Sequence, residues 1–215
     1  MEKVNLAEKF NLFTEHWSPQ IAGELNGQHV KLVKFKGPFT WHHHDHEDEL
    51  FYVVKGKVKT FKTNDDGKEL VVGLYNEGDF LGYVALLEGG SYKETAEAME
   101  DSELAIIPKA DFDELMHSNG QVSQKFIQLL AKNVAEKEDH LLGLAYNSLR
   151  KKVADALISL QKKYQTGEGH FSINISRENL ASIAGTATES LIRTLGDFRS
   201  EKLIDIKDGH IVILN

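Results

Sequence analysis

From about residue 24 to residue 107 apolar and polar positions alternate in short runs. The runs are Val30–Phe35, Leu50–Val54, Lys57–Lys62 and Leu70–Leu74. Between them stand Lys36-Gly37-Pro38, Asp65-Asp66-Gly67 and Glu77-Gly78-Asp79. A period of two sends successive side chains to opposite faces of a strand. Many short strands joined by Gly and Asp turns predict a sandwich or jelly roll. The period then lengthens. From Gln121 to Asn147 only Gly143 interrupts a helix, and Val122, Phe126, Leu129, Leu130 and Val134 recur at steps of three and four. The polar stretch Ala135–His140 follows, and Leu141, Leu142 and Leu144 resume the stripe. A long helix with one apolar stripe needs a partner to cover it. Tyr146-Asn147 reads as a hinge beyond it.

The last forty residues or so change pattern again. Ser176 can cap a short helix whose first turn holds Glu178 and Asn179 and whose apolar face is Leu180, Ile183 and Ala184. Gly185 ends it, since glycine best tolerates the positive φ of a helix C-terminus. Thr186 can cap a second helix. There Leu191, Leu195 and Phe198 face inward, with Thr188, Glu189, Ser190 and Arg193 on the other side. Leu203–Ile206, Asp208-Gly209 and His210–Leu214 read as a two-stranded hairpin. Helix, tight turn, helix and hairpin in this order predict a winged helix-turn-helix that enters a DNA major groove.

Composition bounds the rest. The chain has 215 residues and no cysteine, which excludes disulfides, iron–sulfur clusters and thiolate zinc sites. No apolar run reaches membrane-spanning length and the polar start is no secretory signal, so a cytoplasmic protein without membrane contact is expected. The net charge of −8 is unevenly placed. From Arg150 onward ten basic residues face eight acidic ones, a balance of +2, which leaves −10 on residues 1–149. An acidic first part joined to a mildly basic end suits phosphate contact by one face.

One motif carries different chemistry. In Gly37-Pro-Phe-Thr-Trp-His42-His43-His44-Asp45-His46-Glu47-Asp48-Glu49, followed by Gly56, His42 and His44 share one strand face and Glu49 comes after a short loop. Two imidazoles and a carboxylate suit Fe(II), and also Mn, Ni, Co or Zn. A single divalent transition metal held by His42, His44 and Glu49 is therefore expected, with His46 as an alternative ligand. The spacing resembles the first signature of the cupin family over about residues 4–58. That family's second signature, which supplies a fourth ligand, has no counterpart downstream.

Residues 55–215 resemble the cyclic-AMP receptor/fumarate-nitrate regulator (Crp/Fnr) family of bacterial transcription factors. The resemblance rests on the Gly56 turn, Gly78-Asp-Phe-Leu-Gly82, Ala105-Ile-Ile-Pro108, the long helix and Ser176–Arg193. It implies an α+β chain in three parts: a double-stranded β-helix (jelly-roll, cupin-like) sensor over 1–118, a dimerisation helix over 119–147 and a winged helix-turn-helix over 148–215. It implies a homodimer joined through Val122, Phe126, Leu130, Val134 and Leu141. Ser176, Arg177, Thr186, Thr188, Glu189, Ser190 and Arg193 would face a palindromic operator in double-stranded DNA. Glu189 and Arg193 would read base edges, as Glu can accept from cytosine N4 and Arg suits guanine O6 and N7. Lys151 and Lys202 would meet phosphate. A small-molecule effector would sit in the roll near Tyr83, Tyr92 and Lys93. Tyr83 stands where the cyclic-nucleotide branch has a ribose-binding Glu, so cyclic AMP is not expected. Neither is the cluster of the oxygen-sensing branch, for want of cysteine. The expectation is a transcription regulator rather than an enzyme. The alternatives are a metal-dependent cupin enzyme with an appended DNA module, or a cupin/regulator chimera joined near Val54–Thr60 without evolved function.

Overall fold

The computed structural model describes residues 5–25, 28–36, 38–39, 49–165 and 171–214. A short helix, α1 (Leu6–Phe10), leads into β1 (Gln20–Leu25), β2 (Gln28–Phe35), β3 (Pro38–Phe39), β4 (Glu49–Lys55), β5 (Val58–Thr63), β6 (Glu69–Tyr75) and β7 (Phe80–Leu81). Helix α2 (Tyr83–Glu88), β8 (Thr95–Ala98), β9 (Ser102–Pro108) and α3 (Lys109–Ser118) complete the first half. The second half runs α4 (Gly120–Tyr146), α5 (Leu149–Tyr164), β10 (Ser172–Ile173), α6 (Arg177–Ala184), α7 (Thr188–Ser200), β11 (Ile204–Lys207) and β12 (His210–Ile213). The chain forms two compact units, Met1–Lys62 with Gly73–Lys132 and Thr63–Val72 with Asn133–Asn215. The divides fall at the end of β5, inside β6 and inside α4.

The roll pairs a five-stranded sheet, β1-β2-β9-β4-β7, with a four-stranded sheet, β3-β8-β5-β6. Alternation along each strand builds the space between them. Val33 and Phe35 of β2, Phe51 and Val53 of β4, and Leu104 and Ile106 of β9 point inward with Leu81, Val58, Tyr75 and Ala96. The opposite face of the larger sheet is covered as well, so its strands carry apolar residues on both sides. Leu32 and Ala105 pack under Phe10 of α1, with Tyr52 and Val54 alongside. Leu50 packs under Tyr83 and Leu86 of α2, Phe112 of α3 and Phe126 of α4. Helix α1 was not legible beforehand. Asn5 caps it, its side chain accepting from the Ala7 amide at 3.1 Å.

In the second unit α5 begins at Ser148, whose side chain accepts from the Lys151 amide. Val153, Leu157 and Leu160 of α5, Leu180 and Ile183 of α6, and Leu191, Leu195 and Phe198 of α7 are buried, as are Ile204 and Ile211. The hairpin β11–β12 turns at Asp208-Gly209, both at positive φ, as a tight Asp-Gly hairpin demands. A third strand, β10, pairs with β12.

Candidate nucleic-acid interface and sensor roll

Helix α6 starts where Ser176 caps it, its hydroxyl accepting from the Asn179 amide at 3.1 Å. It ends at Gly185, whose φ of 58° is left-handed. A Cβ there would also come within 2.7 Å of Leu144 Cδ2, so the turn needs glycine for both conformation and space. The second helix is entered differently from the expectation. The capping position of α7 is Ala187, and no side chain caps it. Thr186 instead gives its amide to the Ala181 carbonyl at 3.0 Å and closes the turn. Its expected capping role is thus corrected.

Two rows of α7 diverge. Leu191, Thr194, Leu195 and Phe198 are buried, and the Thr194 hydroxyl donates to the Ser190 carbonyl at 2.9 Å. Glu189, Ile192, Arg193 and Gly196 are exposed, and Thr188 and Ser190 lie half-buried between the rows. Arg177 goes elsewhere. Its guanidinium donates to the Gly209 carbonyl at 3.1 Å and ties the start of α6 to the hairpin turn. Arg150 forks onto Glu201 at 2.9 and 2.6 Å and lies 4.7 Å from the Phe198 ring, which pins the end of α7 to α5. That hydrogen-bonded pairing pushes the arginine pKa up and the glutamate pKa down. Lys151 donates to the Asn147 side chain at 3.1 Å, and Asn147 donates to Asp155 at 3.0 Å. Lys202 is exposed in the turn after α7 at a φ of 61°.

On α4 the expected partner face is partly wrong. Phe126 is buried within the chain's own first unit, 5.0 Å from the Phe112 ring and 6.2 Å from those of Tyr83 and Phe80. Leu129 and Leu130 pack against the same cluster, and Val122 is half-buried. Among the large apolar residues turned to solvent, with Leu142 and Tyr146, are Ile127, Val134 and Leu141, each more than half exposed and spaced by seven. Sequence reading missed Ile127. The signal was available in that spacing, which the denser steps of three and four obscured.

The expected effector residues are not brought to one pocket. Tyr83 belongs to the cluster under α2 and α4. Tyr92 packs beside Phe51 and donates to the Glu49 carbonyl at 2.5 Å, while Lys93 is exposed and pairs with Glu88 at 3.1 Å. Between the sheets Phe35, Phe51, Val58, Leu81, Ala96, Ala98, Leu104 and Glu97 line a cavity of about 10 Å³, room for roughly one water. Thr60 and Tyr75 are buried nearby, and a Cβ on Gly73 would strike both hydroxyls, at 2.7 and 2.5 Å. Burial raises the Tyr75 phenol above its ordinary range, and the charge of Glu94 raises it further.

Residues 36–119 match the cyclic nucleotide-binding domain and residues 151–215 the Crp-like helix-turn-helix domain. The chain is 30% identical over 164 residues to the cyclic AMP receptor protein of Thermus thermophilus, covering 76% of this chain and 74% of that one. This chain belongs to the Crp/Fnr family. It is a DNA-binding transcription regulator with an N-terminal cyclic nucleotide-binding domain, built as a β-roll, a long helix and a winged helix-turn-helix. It is 26% identical over 189 residues to the cAMP-activated global transcriptional regulator CRP of Salmonella typhimurium, covering 86% and 90% of the two chains. The fold is also that of FixK2 from Bradyrhizobium japonicum, with a TM-score of 0.75, 22% identity and coverage of 86% and 93%.

These matches correct the cofactor expectations. The cyclic nucleotide-binding match spans His42, His44 and Glu49, so the motif that resembles a cupin metal site lies inside a regulator domain. His42, His44 and His46 lie outside the described residues, and Glu49 opens β4 opposite Pro108. Among the described residues no group of three His, Asp or Glu is placed to hold a metal. Setting cyclic AMP aside because of Tyr83 is corrected too, since the matched domain is a cyclic nucleotide-binding one and the relatives above are named for cyclic AMP. No helix among the described residues is long and apolar enough to cross a membrane.

Proposed function

We propose that this chain acts in the cytoplasm as a homodimer that reads a two-fold-symmetric DNA site through α7 and is switched by a small molecule taken into the roll. The observation that carries the reading is the outward row of α7, where Glu189 and Arg193 stand exposed on a helix fixed from behind by buried Leu191, Leu195 and Phe198. A rigid helix with a polar outer row is what base reading requires, because phosphate contacts position a protein while base edges specify the site. Ser176, Thr186, Thr188 and Ser190 line the same side, and Lys151 and Lys202 supply phosphate contacts. Arg177 contributes by holding the hairpin turn. Two copies meet along Ile127, Val134 and Leu141 of α4, whose seven-residue spacing suits a two-helix seam. Residues 1–118 sense, 119–147 join the copies and 148–215 read. A two-fold pair of reading heads then matches half-sites one helical turn apart. Ligand entry into the roll shifts its packing on α4, and the shift passes along α4 to the heads.

Selection from a random duplex pool tests this, run without ligand and with cyclic AMP or cyclic GMP. A palindromic site is expected, and Arg193→Ala should weaken binding by about 1–3 kcal/mol and relax one position per half-site. Absence of any enriched site under all conditions would overturn the DNA reading. For the seam, Ile127→Asp with Val134→Asp should give a monomer in sedimentation at micromolar concentration. A stable dimer would place the interface elsewhere.

A further inference from the structure

Thr60 of β5 is 1% exposed, and its Oγ1 is buried without completing a hydrogen bond among the described residues. Such a hydroxyl is uncommon, because leaving a buried polar atom unpaired costs stability. Its place in the roll is specific. Thr60 stands opposite Ala96 in the β5–β8 ladder, so both side chains face the space that Ala96 lines with Phe35, Phe51 and Ala98. Across Gly73 of β6 stands the phenol of Tyr75. A Cβ on that glycine would lie 2.7 Å from Thr60 Oγ1 and 2.5 Å from the Tyr75 hydroxyl. Glycine therefore keeps a gap that any other residue would fill, and both hydroxyls border it. Burial and then the charge of Glu94 raise the phenol pKa, while Thr60 lowers it in part, as a neighbour without the geometry of a full hydrogen bond. Tyr75 thus keeps its proton at neutral pH and can donate it.

We propose that Thr60 and Tyr75 determine which effector the roll accepts, by hydrogen bonding the six-position of a purine base. This rests on the reading of the roll as a small-molecule sensor. Ligand sites are mostly apolar and take their specificity from a few placed polar groups. A hydroxyl both donates and accepts, so the pair can meet the amino group of adenine or the carbonyl of guanine. The phosphate does not suit this spot. Glu94 and Asp79 both act on Tyr75 through negative charge, and a further anion taken out of water beside them is unfavourable. An uncharged ring edge carries no such penalty. The six-position is also remote from the phosphate, so the base lies innermost and the charged end stays toward solvent.

The test measures the affinity of the full chain for cyclic AMP, cyclic GMP and the cyclic purine nucleotide without a six-substituent. The thermal midpoint of the ligand-free protein is measured beside it. Wild type should bind one of the first two roughly three- to tenfold more tightly than the unsubstituted purine, the worth of one net hydrogen bond. Thr60→Val keeps the side-chain shape and removes the hydroxyl, and Tyr75→Phe keeps the ring. Each should narrow that ratio, and the double variant should abolish it. Thr60→Val should also hold or raise the ligand-free midpoint, because it removes an unpaired hydroxyl from the interior. A lower midpoint would show that the hydroxyl serves the fold and would overturn the proposal. So would a wild type that does not discriminate at the six-position, or variants that keep its ratio. In each of these cases nucleotide binding by wild type leaves the sensor reading standing. If wild type binds none of the three, the sensor reading for cyclic nucleotides and this proposal fall together.

Discussion

In the roll, Lys59 of β5 is 1% exposed and meets Glu97 across the sheet at 2.9 Å. In the reading head, Arg150 meets Glu201 through two hydrogen bonds at about half exposure. Both are one cation and one carboxylate bridging two elements, yet physics gives them different weight. Taking Lys59 out of water is costly, and its attraction to Glu97 and to the Phe61 ring 4.9 Å away offsets that cost. Arg150 and Glu201 keep much of their hydration, so their contact fixes the direction of α7 more than it stabilises the fold. The roll hides polar groups and closes over them. The head hides leucines and leaves its polar row outside.

Breaking the buried pair should have the largest effect. Glu97→Gln leaves the Lys59 charge without its cross-strand partner and should cost about 3 kcal/mol, the low end for a buried pair because Glu97 retains some solvent. Lys59→Met should be far milder, since it removes the charge with the need for a partner. Equal losses in urea denaturation would show that packing, not charge, governs this site. Next comes Gly185→Ala. A left-handed φ of 58° together with the approach to Leu144 should cost about 1–2 kcal/mol and weaken DNA binding through the displaced turn. An unchanged midpoint would mean that α6 and α7 adjust without strain. The smallest effect belongs to Glu201. Its folded pKa lies below the ordinary glutamate value because of the hydrogen bond from Arg150. The pair therefore contributes above about pH 4.3, the unfolded value, and that contribution disappears as pH falls through the lower folded one. Wild type and Glu201→Gln should differ slightly at neutral pH and low salt and converge in acid. A gap that persists at pH low enough to protonate Glu201 in both states would assign the effect of the substitution to shape.

The head was legible in sequence because its rules are local. A serine cap, a glycine at positive φ, an apolar row at helical spacing and an Asp-Gly hairpin are each decided within a few residues. The roll was legible only as a class. Alternation located β2, β4, β5 and β6, but β1 and the pairing order depend on contacts distant in sequence. The histidine spacing misled for a related reason. A ligand set is defined by convergence in space, and a local pattern supplies spacing alone.

Sequence by itself determined the periods, the turn that joins α6 to α7, the absence of thiol chemistry and the outward placing of Glu189 and Arg193 on α7. Tertiary structure alone decided which side of α4 faces inward. Phe126 and Leu130 share the helical stripe with Val134 and Leu141, and only the presence of Phe112 and Tyr83 beside Phe126 sends it to the chain's own core. It likewise decided that Arg177 holds a hairpin turn and that Lys93 turns outward to Glu88. The reason is common to all three. A side chain's type limits what it can contact, but which contact it makes is settled by the neighbours that the folded chain brings within reach.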